Sequence, residues 1–165
     1  MGPTLADFYM CNLENKIFES QPNLKPTIYC RYVDDIFVLS KDIDQVLKLR
    51  NALINNSILN FTYELEKSKK LNFLDVTVTR GSNGLTTSVY VKPTYDNQTL
   101  NYLSIAPLKY KISTIKTLLH RGFHVSDSWN TFHTEVIRIK NLLNNNNFPI
   151  KLIDNYTAVS KICKI

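Results

Sequence analysis

Apolar residues recur at helical spacing from the start of the chain. Leu5, Tyr9, Leu13 and Ile17, joined by Ala6 and Met10, make one stripe, which predicts a helix over 1–19 entered through Pro3. Gln21-Pro22-Asn23 and Lys25-Pro26 end it. The period then shortens. Residues 27–32 and 36–39 are apolar, β-rich runs on either side of a polar pair, the pattern of a tight hairpin. Ser40 or Asp42 can cap the next helix, where Ile43, Val46, Leu47, Leu53 and Ile54 keep helical spacing until Asn55-Asn56. Period two returns over 59–66, 71–80 and 85–93, three predicted strands, with Gly81-Ser82-Asn83-Gly84 as the turn between the last two.

After Tyr102 the helical period resumes. Ile112, Ile115, Leu119 and Phe123 form an apolar stripe, while Lys109, Lys116, His120 and His124 share another face. Ser126-Asp127-Ser128 offers caps for a second helix carrying Trp129, Phe132, Val136, Ile139 and Leu143, which the asparagines at 144–147 and Pro149 stop. The asparagine tract reads as a loop. Helix, hairpin, helix, three strands and a basic helical pair make an α+β body with a helical C-terminal appendage.

Composition narrows the classes. With 44% hydrophobic residues, only 4 Gly and 6 Pro among 165, the chain is neither a disordered tail nor a linker or collagen-like segment. No apolar run reaches the ~18–20 residues of a membrane helix and no signal-peptide core is present, so no membrane partner is expected. Cys11, Cys30 and Cys163 are odd in number and lack CxxC spacing, which argues against a disulfide framework and for a reducing, intracellular compartment. The net charge of +6 hides a polarity: residues 1–66 hold 6 Lys and Arg against 9 Asp and Glu, residues 67–165 hold 14 against 5. A basic half beside an acidic one suits a polyanion partner, although basic helix faces also occur simply as solvated surface.

The hairpin carries the candidate chemistry. Turns of this kind select Asn-Gly or Asp-Gly, whereas Asp34-Asp35 sets two carboxylates side by side at the end of apolar strands. Such a pair repels itself unless a cation neutralises it. Mg²⁺, which takes one or two carboxylates plus substrate phosphates, is the natural ion. A solvated acidic turn is the simpler alternative. His120 and His124 stand four apart without a Cys or Glu at zinc spacing and read as polar-face histidines, as does His133.

Arg31-Tyr32-Val33-Asp34-Asp35 resembles the YxDD signature of reverse transcriptases. Residues 2–10 look like the polymerase segment preceding that hairpin. Residues 61–66, 73–76 and 89–94 follow in the order of the Penelope-like retroelement reverse transcriptases, and Tyr102-Leu103-Ser104, Pro107, Lys111 and residues 118–121 resemble that family's stretch between palm and thumb. The resemblance implies a partial right-hand polymerase: antiparallel palm strands with packed helices over 1–102, then a helical thumb over 103–165. It implies two-metal nucleotidyl transfer, with Mg²⁺ ions about 3.5–4 Å apart held by Asp34 and, less firmly, Asp35. Tyr32, Phe73 and Leu74 would then lie along primer and template, and Lys67, Lys69, Lys70, Lys109, Lys116 and Arg121 would hold phosphates. Core packing is the alternative for Phe73 and Leu74, and turn capping for Asp75.

RNA template, DNA primer and deoxynucleoside triphosphates would be the partners, with an upstream palm and fingers segment, and the nucleus a place of work. The family's third carboxylate and fingers are absent, and Asp7 reads as a first-turn helix residue rather than a substitute. The chain is therefore expected to be inert alone. The competing expectation is a non-catalytic nucleic-acid-binding module derived from a reverse transcriptase. A nuclease using Asp34 and Asp35 ranks last, since the family's endonuclease signature is missing.

Overall fold

The computed structural model describes residues 2–82 and 84–160 and divides into two compact units, Met1–Leu65 and Glu66–Ile165. Both are mixtures of helix and antiparallel strand, so the α+β expectation holds. Residue 102, where the sequence suggested a domain boundary, lies inside the second unit.

In the first unit, helix α1 (Gly2–Ser20) leads through a 3-10 turn (Pro22–Leu24) to strands β1 (Ile28–Tyr32) and β2 (Asp35–Leu39), then to helix α2 (Ile43–Asn55). Met10, Leu13 and Ile17 of α1 close on Leu24 and on Leu49, Ala52 and Leu53 of α2, with Phe18, Tyr29, Ile36 and Phe61 packed around them. The N-terminal part of the expected stripe does not join this core: Leu5 is 66% exposed. Asp42 caps α2, its carboxylate accepting from the Asp44 N–H at 3.1 Å.

The strands pair with Tyr32 opposite Asp35, so the turn is Val33-Asp34. The acidic pair therefore straddles the turn and the first residue of β2 instead of forming the tip. Val33 takes φ 55°, a conformation that a β-branched residue adopts only at a cost.

The expected strand over 59–66 does not form. Arg50 of α2 takes its hydrogen-bonding capacity instead, donating from Nε to the Phe61 carbonyl at 2.6 Å while its guanidinium lies 5.4 Å from the Tyr63 ring centroid. With Phe61 drawn onto the helical core, tertiary contacts override β propensity.

The second unit opens with a sheet of three antiparallel strands in sequence order, β3 (Lys70–Phe73), β4 (Val76–Arg80) and β5 (Leu85–Val89). Residues 71–80 thus form two strands. Phe73 pairs with Val76 across Leu74-Asp75, and Leu74 takes φ 53°. Gly81 and Gly84 close the next turn as expected, the Gly81 N–H donating to the Gly84 carbonyl at 2.8 Å.

Three helices follow, α3 (Leu108–Val125), α4 (Trp129–Asn145) and α5 (Ile150–Ser160). Ile115 and Leu119 of α3, Phe132, Val136, Ile139 and Leu143 of α4, Phe148 of the connector and Ile153 of α5 share one core. Ser128 and Thr131 form a capping box at the start of α4. Gly122 lets α3 and α4 approach closely, because a Cβ there would meet the Glu135 Cγ at 2.9 Å. The Thr87 hydroxyl donates to the Val125 carbonyl at 2.7 Å and the Asp127 N–H to the Thr87 carbonyl at 3.2 Å, binding β5 to the turn between α3 and α4.

The asparagine tract is a structural pin. The Asn146 amide donates to the carbonyls of Asn97 (3.0 Å) and Leu142 (2.8 Å) and accepts from the Thr99 N–H at 3.2 Å. Helix α5 extends the expected helical pair to a trio. Cys163 lies outside the described residues.

Candidate nucleic-acid interface

Arg31 organises the hairpin of the first unit. Its Nε donates to Glu14 at 2.6 Å, its Nη1 to Asp7 at 2.7 Å and to the Val33 carbonyl at 3.3 Å, and its Nη2 to the Cys11 sulfur at 3.2 Å. The Tyr29 hydroxyl donates to the same Glu14 oxygen at 2.9 Å. Burial works against the Arg31 charge, but the hydrogen bonds and charges of Asp7 and Glu14 outweigh it and raise its pKa. Burial, then the Glu14 hydrogen bond and charge, push the Tyr29 hydroxyl upward, with Arg31 opposing. Asp7 and Glu14 thus serve the hairpin's attachment to α1.

Asp34, Asp35 and Tyr32 sit together at this hairpin end, all three exposed. Among the described residues no group of three or more His, Cys, Asp or Glu side chains could hold a metal ion. The expectation of Mg²⁺ thus rests on two exposed carboxylates, Asp34 and Asp35.

The remaining candidates lie in the second unit. Lys67 and Lys69 precede β3 and Lys70 opens it, Phe73 ends that strand and Leu74 occupies the following turn. Arg121 is tied to that same turn, its Nη1 lying 3.4 Å from the Asp75 carboxylate, so part of its charge serves the attachment of α3 to the sheet. Lys109, Lys116, His120 and His124 are exposed on α3. The His120 and His124 ring centroids stand 4.1 Å apart, and the Lys116 ammonium lies 5.7 Å from the Tyr156 ring of α5, so the basic face of α3 borders α5.

The charges divide by role. All six acidic residues of this unit are engaged: Glu66 with Arg80, Asp75 with Arg121, Glu135 with Arg138, Asp154 with Lys140, Asp96 with the Gln98 N–H and Asp127 with the Thr131 hydroxyl. The hydrogen bonds and charge of Glu135 raise the Arg138 pKa against burial. Lys67, Lys69, Lys70, Lys109, Lys116 and Lys151 form no ion pair among the described residues. What faces solvent here is an unneutralised set of cations.

Sequence reasoning missed α5. Its exposed face carries Lys151 and Asn155, one turn apart. The signal was present in Pro149, a helix-entry residue, and in the helical spacing of the buried Ile153 and Thr157. The connector between α4 and α5 is four residues long, with Asn147 at φ 65°, and that between α3 and α4 is three. Such lengths match the turn of a helix-turn-helix.

A family model described as the animal helix-turn-helix domain matches residues 98–158. The match spans α3, α4 and nearly all of α5. It covers fewer than half of the residues, so it describes this stretch and not the whole chain. Neither the curated proteins nor the solved structures contain a match to this chain.

This finding overturns the resemblance to Penelope-like reverse transcriptases. The matching family is a helix-turn-helix domain, and it occupies the stretch that the resemblance made a polymerase thumb. The physical reason lies in the evidence the resemblance used. Short β-rich apolar runs on either side of a polar turn arise in any tight two-stranded hairpin, whereas the match at 98–158 coincides with three helices around a single core. Among the described residues, no helix is long and apolar enough to cross a membrane.

Proposed function

We propose that the second unit binds duplex DNA, as a non-catalytic nucleic-acid-binding module. The helix-turn-helix match over 98–158 carries this reading, and the unpaired cations around that helical body support it. Helices α4 and α5 form the two arms of the motif. In this arrangement the second helix enters the major groove while the first crosses the backbone. Helix α5 offers Lys151 and Asn155 on its exposed face, and asparagine can bond both N6 and N7 of an adenine. Lys109 and Lys116 on α3 engage phosphates, which fixes position without reading bases. A chromosomal duplex as partner makes the nucleus the place of work.

The test is fluorescence anisotropy of the whole chain with labelled duplexes of varied sequence across a salt series. Four to six neutralised phosphates give a slope of log K against log salt of roughly −4 to −5. A nearly flat slope, or no binding at low salt, overturns the proposal. Lys109→Gln with Lys116→Gln weakens all duplexes alike, whereas Asn155→Ala levels the differences among sequences.

A further inference from the structure

The loop entering β3 holds a feature outside the matched helix-turn-helix stretch. The Lys67 N–H donates to the Lys70 carbonyl at 2.9 Å, and the Lys70 N–H donates back to the Lys67 carbonyl at 3.0 Å. The two residues close a hairpin tip around Ser68 and Lys69, whose φ values are 52° and 64°. Positive φ at both central residues is the type I′ turn, which selects Asn-Gly or Gly-Gly. Ser-Lys is a poor choice for this backbone, so turn stability does not account for the residues present. Three of the four tip residues are lysines, and all four are exposed.

The surroundings keep these charges unneutralised. Glu66, the neighbouring acid, is held by Arg80, whose Nε donates to it at 3.2 Å and whose Nη2 pairs with its other oxygen. The Arg80 N–H also donates to the Lys69 carbonyl at 2.8 Å, fixing the tip to the end of β4. Strand β5 of the same sheet packs on α3 and α4. The lysine tip and the helical trio thus belong to one compact unit.

We propose that Lys67, Lys69 and Lys70 form a second phosphate-binding element, a basic β-tip that grips the backbone of the duplex engaged by the helices. This rests on the reading of the second unit as DNA-binding and adds a contact outside residues 98–158. A duplex presents a charge every ~1.7 Å along its axis, a density that suits three cations on one tight turn. The tip contributes affinity and salt dependence and leaves sequence preference to the helices.

The experiment is the salt series with the whole chain and two variants. Lys67→Gln, Lys69→Gln and Lys70→Gln combined should make the slope of log K against log salt shallower by about 2 to 3, with preferences among duplexes unchanged. Ser68→Asn with Lys69→Gly installs the preferred turn pair, keeps the fold and removes one charge; it should shift the slope by about 1 while raising the melting temperature. An unchanged slope in both variants, with DNA still bound, overturns the β-tip alone. Failure of the unaltered chain to bind any duplex overturns the parent reading and the β-tip with it. Binding to phosphatidylserine vesicles that the triple variant loses, with the DNA slope unchanged, overturns the β-tip in favour of a lipid surface.

Discussion

The two units use their charges in opposite ways. In Met1–Leu65 a single cation, Arg31, gathers Asp7, Glu14, the Cys11 sulfur and the Val33 carbonyl, and charge attaches the hairpin to α1. In Glu66–Ile165 an apolar cluster led by Ile115, Phe132, Ile139 and Leu143 joins the helices, and the acids are occupied while, among the described residues, most lysines form no ion pair. A residue's sign therefore says little about its function until its partner is known. The carboxylates Asp7 and Glu14 are structural, whereas unpaired lysines are the groups available to an anionic ligand.

The largest expected effect comes from removing the hub. Arg31→Met leaves Glu14, whose side chain is 12% exposed, without its cation, and breaking such a pair costs about 3–5 kcal/mol. Denaturation with residue-level hydrogen exchange should show protection lost over 2–65 and retained by the α3–α5 core. Equal loss in both units breaks the comparison. Its counterpart in the second unit is Gly122→Val, which drives a branched side chain into Glu135, Ile139 and Phe132. Overpacking of this kind costs about 2–3 kcal/mol, read as a lower urea midpoint, and DNA affinity should fall because the α3–α4 spacing opens. A variant of wild-type stability would show that the close approach does not matter.

The extent to which these features could be read in advance follows from where their physical signals lie. Helices α1 to α4 announce themselves through apolar spacing and through caps such as Asp42 and Ser128, local signals that tertiary structure respects. The sheet was harder. Val33, Ser68 and Leu74 adopt positive φ without glycine, so two-residue turns were displaced by a position or hidden inside one apparent strand. Residues 59–66 have strand composition, but Arg50 captures their backbone from a helix, a contact that the alternation of residues 59–66 does not encode. The acidic pair was visible, yet the resemblance built on it did not stand. The stretch that the helix-turn-helix model matches is written in core positions spread across α3, α4 and α5, the last of which was not anticipated.

Smaller effects sharpen the account of the first unit. The Tyr29 pKa is raised by burial and by the Glu14 hydrogen bond and charge, so folding favours its protonated form. Below the unfolded value near 10 that contribution is complete. As pH climbs past 10 the unfolded hydroxyl ionises while the folded one resists, and stability falls by about 1 kcal/mol over the first pH unit. Tyr29→Phe removes this part of the alkaline decline. Urea melts of both proteins at pH 8 and pH 11 should converge at the higher pH, and parallel declines would show that the Tyr29–Glu14 contact is not what sets the alkaline limit.

The smallest effect has the opposite sign. Val33 is 63% exposed, so replacing it gives up little burial while relieving its left-handed backbone. Val33→Gly should stabilise the first unit by roughly 0.5–1 kcal/mol, the remainder of a ~1–2 kcal/mol conformational penalty after the added entropy of an unfolded glycine is subtracted. The Arg31 bond to the Val33 carbonyl survives the substitution, because it involves only backbone at that position. A loss of stability on Val33→Gly, measured in the same melts, would mean that the exposed valine side chain is held by a contact that the strained turn exists to make.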